Sequence, residues 1–198
     1  ELDRVMPVLE GVRELGAAIS VDTMKPAVMR AAVAAGAAMI NDVYGFRAAG
    51  AWAAVRDSDC ALCVMHMQGE PRTMQDNPHY EDVVAEVEGF LAGRIAAAEA
   101  VGIARERLWI DPGFGFGKTL EHNLALLRAL PRLRQLAPVL AGLSRKRMIG
   151  ALTGRDIPER MAGSLAAALR AVENGAGIVR VHDVKETVDA LKVWQATR

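Results

Sequence analysis

The amino-acid sequence predicts an α/β fold in which parallel strands alternate with helices. Six continuous apolar runs read as buried parallel strands, and the segments between them have helical spacing. Each run breaks off at polar, chemically capable residues, which is typical of α/β folds that bind ligands beyond the carboxyl ends of their strands. The six strand ends are Val21-Asp22-Thr23, Ile40-Asn41-Asp42, Met65-His66-Met67-Gln68, Ile110-Asp111-Pro112-Gly113, Leu143-Ser144-Arg145-Lys146 and Val179-Arg180-Val181-His182.

The six polar strand ends favour a (β/α)8 TIM barrel over a doubly wound sheet. A doubly wound sheet binds its ligand at one switch point, whereas a barrel gathers every strand end around one mouth. A barrel needs eight strands in about 250 residues, and this chain offers six in 198. We therefore expect one barrel domain over residues 1–198, with the first two strand–helix units largely missing and the chain beginning inside a helix.

The helices are predicted from apolar spacing and from their end signals. Val5, Val8, Leu9 and Val12 share one face of a first helix that ends at Gly16. Pro26 opens a second helix that runs to Gly36, after a possible cap among residues 22–25. A long helix over residues 81–101 precedes a strand over 107–111. Further helices are predicted at 120–136, 157–173 and 184–195, and a strand at 139–143.

Composition excludes several classes of function. Lys and Arg together number 24, equal to Asp and Glu, so the formal net charge is zero. No block of like charge favours nucleic acid or a membrane surface, and no apolar stretch is long enough for a span or signal peptide. We expect a cytoplasmic protein with small-molecule partners.

Cys60 and Cys63 form a C-x-x-C pattern with His66 nearby. A structural zinc site needs four ligands, and no second Cys/His pair follows. A thioredoxin-type pair would open a helix, whereas these residues lead into a strand. We predict reduced, mostly buried thiols.

The densest motif is Asp111-Pro112-Gly113-Phe114-Gly115-Phe116-Gly117-Lys118-Thr119. Its glycines allow close approach of the backbone to a ligand, and its two phenylalanines offer flat surface for a ring. The Gly117-Lys118-Thr119 end suggests a P-loop, but Pro112 stands where the Walker pattern requires glycine. We therefore do not predict a nucleotide triphosphatase.

Taken in order, six motifs resemble those of bacterial dihydropteroate synthases over the whole chain. They are Ser20-Val21-Asp22-Thr23 with Lys25-Pro26, Ile40-Asn41-Asp42-Val43, Met65-His66-Met67-Gln68-Gly69, residues 111–119, Gly142-Leu143-Ser144-Arg145-Lys146-Arg147, and Arg180-Val181-His182-Asp183. The resemblance implies a transferase of folate biosynthesis, the target of sulfonamides, built on a (β/α)8 barrel. It would join 6-hydroxymethyl-7,8-dihydropterin pyrophosphate to p-aminobenzoate and release pyrophosphate.

The polar groups at the strand ends are suited to a pterin, because carboxylates and amides can hydrogen-bond to its edge of ring nitrogens and amino group. Asp22, Asn41 and Asp111 offer these groups, although Asp22 could instead cap a helix and Asn41 could be a turn residue. The resemblance adds Met65, Gly115, Lys146 and Arg180 to the pterin set, and Phe116, Lys146 and Arg147 to the p-aminobenzoate set. Lys146, Asp111 and Arg180 are the expected catalytic residues, unless the basic run at 145–147 is merely solvated.

Arg180 and His182 alternate along the predicted last strand, so both should point to one face and form an anion site. The resemblance assigns this site to pyrophosphate, while a core histidine is the alternative for His182. His66 is expected to be structural, because alternation places it opposite Met65 and Met67.

The resemblance also implies Mg²⁺ and a homodimer. The family's metal ligand lies on the first barrel strand, which is absent before Glu1, so we expect no metal ligand within these residues and little activity from this polypeptide alone. Two alternatives are a corrinoid-dependent methyltetrahydrofolate methyltransferase and a non-catalytic pterin-binding fragment. The anion-binding pair Arg180 and His182 favours a pyrophosphate leaving group over the methyltransferase.

Overall fold

Strands and helices alternate along the chain, as the sequence predicts. In this computed structural model, residues 1–70 and 73–198 are described. Their strands are β1 (Ser20–Asp22), β2 (Met39–Asp42), β3 (Ala61–Met65), β4 (Leu108–Asp111), β5 (Val139–Ala141) and β6 (Ala176–Val179). Their helices are α1 (Leu2–Val12), α2 (Pro26–Ala34), α3 (Ala51–Val55), α4 (Val83–Ala100), α5 (Leu120–Leu133), α6 (Arg147–Thr153), α7 (Met161–Glu173) and α8 (Val184–Ala196).

Several element bounds differ from the predicted ones. The helix predicted over 157–173 is a 3₁₀ turn at Ile157–Glu159 followed by α7. The strand predicted over 139–143 ends at Ala141, and α5 ends at Leu133 rather than at residue 136. Helix α3 is not predicted, because five residues are too few to show a helical period.

Two compact units make up the chain, one of Glu1–His66 with Gly89–Ile110 and the other of Met67–Glu88 with Asp111–Arg198. In the first unit, β1, β2 and β3 pair in parallel in chain order, and Asp22 lies opposite Asn41. Helix α2 begins with Pro26 at its first turn and is followed by Gly36, whose φ of 90° suits glycine. Fully buried side chains of this unit include Met29, Ile40, Leu62, Leu91 and Ile110.

In the second unit, β5 and β6 pair in parallel with a register shift at Val139 and Leu140. The Arg180 amide donates to the Ala141 carbonyl at 2.9 Å, one residue beyond the end of β6. Helix α7 packs against β6 and against α5, α6 and α8. Buried side chains of this core include Phe114, Leu126, Leu130, Leu133 and Val139.

Both cysteines are buried thiols, as predicted. No helix among residues 1–70 and 73–198 has the length and apolar character required to cross a membrane.

Candidate active site

In the first unit, Asp22 and Asn41 lie side by side at the carboxyl ends of β1 and β2. The Asn41 amide donates to the Asp22 carboxylate at 2.7 Å. Asn41 is buried and Asp22 is exposed. The alternative role of Asp22 as a helix cap is wrong, because Lys25 occupies the N-cap of α2 and no side chain caps that helix.

Asp42, next to Asn41, is fully buried and was assigned no role by the sequence. Its carboxylate accepts from the amides of Tyr44 and Phe46, both at 2.7 Å. Burial raises the pKa of Asp42 to about 6, against the lowering effect of these two hydrogen bonds. Phe46, at φ 56°, is held in a left-handed conformation by one of them.

Met65 ends β3 and is fully buried, and the next residue, His66, is also buried. The His66 ring packs edge-on against Phe90, with 5.0 Å between ring centres. This contact supports the structural role that the sequence predicts for His66.

In the second unit, Asp111 and Arg180 form an ion pair. Arg180 donates from Nη2 to Asp111 Oδ2 at 3.0 Å, and Asp111 Oδ1 accepts from the Gly113 amide at 2.8 Å. Asp111 has no exposed surface. A Cβ atom added to Gly142 would lie 2.9 Å from Arg180 Nη2, so the guanidinium occupies space that only glycine leaves open.

The prediction that Arg180 and His182 lie on the last strand is wrong, because β6 ends at Val179. The two side chains also have different partners. His182 is exposed, and its Nδ1 lies 2.9 Å from Ser144 Oγ. A loop conformation after a short strand replaces the alternation that the sequence pattern implied.

Residues 113–117, here called the glycine loop, follow β4. Gly115 and Gly117 have φ values of 80° and 62°, which favour glycine. Phe114 is fully buried, so the expectation that both phenylalanines offer a surface to a ligand is wrong for Phe114. Phe116 is partly exposed, and Lys146 Nζ lies 4.9 Å from the centre of its ring.

Lys146 stands at the N-cap of α6 and donates from Nζ to the Phe114 carbonyl. Burial lowers its pKa to about 8, and Arg180 adds to this effect while Asp111 opposes it. Arg145 precedes it at φ 58°, with its amide bonded to Ser164 Oγ at 2.9 Å and its guanidinium paired with Asp183.

A pocket of about 640 Å³ opens beside Lys146 within the second unit. Aromatic and cationic groups share its wall, which includes Gly115, Phe116, Lys118, Arg145, Lys146, Arg147 and Arg160. Such a pocket suits a flat ring that carries a negative charge. All three residues predicted for p-aminobenzoate, Phe116, Lys146 and Arg147, line this pocket.

Sequence reasoning missed several residues that hold the glycine loop. The sequence pattern indicates only a P-loop role for Lys118, whereas in the structure its buried Nζ donates to the carbonyls of Gly113 and Phe116, both at 3.0 Å. Asn123, also buried, accepts from the Gly115 amide at 2.7 Å and donates to the Thr119 carbonyl at 2.5 Å. Thr119 caps α5 in a reciprocal bond with His122, which was the one signal available in the sequence.

The residues that the structure describes contain no group of three or more His, Cys, Asp or Glu side chains that could hold a metal ion.

Comparison with known proteins identifies relatives that bind pterins, in agreement with the residue chemistry. Residues 1–182 match the family described as pterin binding enzyme. Dihydropteroate synthase of Escherichia coli K12 is 49% identical over 199 residues, and the match covers 100% of this chain and 71% of that protein.

Solved structures of dihydropteroate synthases, among them the two that follow, are similar over 100% of this chain. A dihydropteroate synthase from Stenotrophomonas maltophilia with active-site-bound imidazole has a TM-score of 0.97 at 59% identity, with 76% of it covered. The Burkholderia cenocepacia dihydropteroate synthase complexed with 7,8-dihydropteroate has a TM-score of 0.94 at 56% identity, with 74% covered. These likenesses confirm the predicted fold class, an α/β chain that corresponds to part of a TIM barrel.

Proposed function

This chain belongs to the pterin-binding enzymes as a dihydropteroate synthase, and we propose specific roles for its strand-end residues in that reaction. The enzyme condenses 6-hydroxymethyl-7,8-dihydropterin pyrophosphate with p-aminobenzoate to give 7,8-dihydropteroate. A bond forms between the amine nitrogen and the pterin methylene carbon, the bond from that carbon to the pyrophosphate oxygen breaks, and the amine loses a proton.

We assign Asp111, Lys146 and Arg180 to catalysis and to the pterin, and the observation that carries this assignment is the buried Asp111 paired with Arg180 at 3.0 Å. A buried carboxylate can accept from the amino and ring N–H groups of a pterin. Lys146 interacts electrostatically with both Asp111 and Arg180, and its ammonium can donate to the carbonyl oxygen of the pterin. Asp22, Asn41, Met65 and Gly115 complete the proposed pterin set through the family resemblance.

The 640 Å³ pocket supports the assignment of Phe116, Lys146 and Arg147 to p-aminobenzoate. Phe116 offers a ring face, and the cations around it can attract the carboxylate. Arg147 is exposed on this wall, where a substrate carboxylate can reach it.

For the departing pyrophosphate we propose Arg180 and His182. A guanidinium and an imidazole are both suited to phosphate oxygens. The protein requires no nucleophile, because loss of pyrophosphate leaves a cation that the dihydropterin stabilises. Its work is to orient the amine and neutralise the departing charge.

Mg²⁺ and a homodimer belong to this proposal only through the family resemblance.

Formation of dihydropteroate with release of pyrophosphate, dependent on both substrates, tests the proposed function. Asp111→Asn and Lys146→Met should each abolish pterin binding measured by calorimetry, because each removes a charged group that this proposal places beside the pterin. Lys192→Met, on the exposed face of α8, is the matched control and should bind normally. Near-native affinity in the first two variants would contradict the site assignment.

A further inference from the structure

The glycine loop makes a side-chain hydrogen bond at every one of its five carbonyl oxygens. Lys118 donates to Gly113 and Phe116, Lys146 to Phe114, Gln75 to Gly115, and Tyr80 to Gly117 at 2.9 Å. Three of the five residues are glycines, which have the largest conformational freedom of any residue type. These bonds therefore supply the order that the loop's own sequence does not.

Lys118 differs from the other donors in its burial and in its reach. Only 4% of the residue is exposed, and its ammonium joins two carbonyls that are three residues apart. Burial lowers the pKa of Lys118 to about 7, partly offset by attraction to Asp111. A desolvated ammonium is held in place by its acceptors, so this side chain and the loop fix each other.

The wall that Lys118 fixes belongs to the 640 Å³ pocket. Gly115 lies between the two residues whose carbonyls Lys118 bonds, Phe116 is one of these two, and both Gly115 and Phe116 line the pocket. At Gly117 the loop packs closely against Gln68, because a Cβ atom there would lie 2.6 Å from the Gln68 carbonyl oxygen. Lys118 holds the Phe116 carbonyl directly, so loss of this bond would change the position of the Phe116 ring.

We propose that Lys118 is a positioning residue for the amine substrate, which holds the carbonyls of Gly113 and Phe116 and so fixes the pocket wall that receives p-aminobenzoate. This inference depends on the proposed function. It assigns to Lys118 no contact with the reacting atoms.

Lys118→Met on the full-length protein tests the inference, with Lys192→Met as the control that removes an exposed lysine. Misplacement of a positioning group by about 1 Å can reduce rates on the order of 10²-fold. We expect kcat/KM for p-aminobenzoate to fall by that order through a higher KM, while calorimetric affinity for the pterin pyrophosphate stays close to that of the wild type. An unchanged KM for the amine, or equal losses of pterin and amine affinity, would overturn the inference.

Tyr80→Phe provides a second test if Lys118→Met does not fold. It removes the bond to the Gly117 carbonyl but keeps the ring, and it should raise the amine KM less than Lys118→Met does. If Tyr80→Phe folds and Lys118→Met does not, a wild-type KM for the amine in Tyr80→Phe would also overturn the inference. Failure of the wild-type protein to form dihydropteroate would instead contradict the proposed function.

Discussion

At the scale of single residues, burial decides which charged groups have unusual chemistry. Asp42, Lys118 and Lys146 all have pKa values displaced toward neutrality, and burial is the main cause in each case. Exposed pairs such as Arg56 and Asp57 are held in solvent, where an ion pair adds little to stability. The functional assignments therefore depend on a small number of buried charges.

Asp42 provides a prediction about pH. Its folded pKa, about 6, lies above the ordinary value of 3.8, so the folded state binds the extra proton between these values. Asp42 therefore contributes about 3 kcal/mol to the free energy of unfolding below pH 3.8. This contribution is lost as the pH rises through about 6. Denaturant unfolding of wild type and Asp42→Asn from pH 4 to 7 should show this decline in the wild type alone. Parallel profiles would contradict it.

At the scale of elements, most strands and helices follow from apolar runs and end signals, but the local geometry of the site does not. Pro26 and Gly36 bound α2 nearly as predicted. The sequence pattern cannot show that Arg180 lies beyond the end of its strand. The apolar and polar residues continue to alternate from Val179 to His182, although β6 ends at Val179. Nor can it show the partners of Lys118 and Asn123, which depend on how the glycine loop folds back on itself.

Gly142, directly after β5, provides a prediction at this scale. In Gly142→Ala the new Cβ would lie 2.9 Å from Arg180 Nη2 and would displace the guanidinium from Asp111. We expect pterin affinity to fall by an order of magnitude or more, since a charged hydrogen bond is worth about 1.5–3 kcal/mol. Calorimetry on purified variants measures this loss.

Gly89→Ala is the matched control for that substitution. Gly89 lies within α4, and a Cβ atom there would meet nothing within 4 Å. Alanine should leave binding unchanged and stabilise the helix by about 1 kcal/mol. Equal pterin affinity in both variants would show that Gly142 does not make room for Arg180.

At the scale of the whole molecule, the chain is electrically balanced while its second unit carries a local excess of positive charge at the 640 Å³ pocket. Formal net charge is zero and the isoelectric point is about 7.2. Binding of an anionic substrate therefore depends on the local field of residues such as Lys146 and Arg147 rather than on the overall charge.

Binding of the pterin pyrophosphate should stabilise the protein by mass action. At 100 times its dissociation constant a ligand adds about 2.7 kcal/mol, which for a protein of this size raises Tm by about 5–10 °C. Thermal melts of the full-length protein with and without the ligand measure the shift. A comparable shift in Lys146→Met would contradict the role given to that lysine.

The glycine loop has a consequence for how this pocket can change during evolution. Its conformation is specified by donors from separate parts of the chain, among them Gln75, Tyr80, Lys118 and Lys146. A substitution at one of these donors can alter which aromatic amines fit while the loop's own sequence stays the same. Variants with a changed choice of substrate or inhibitor should therefore be sought at the donors as well as among the residues that line the pocket.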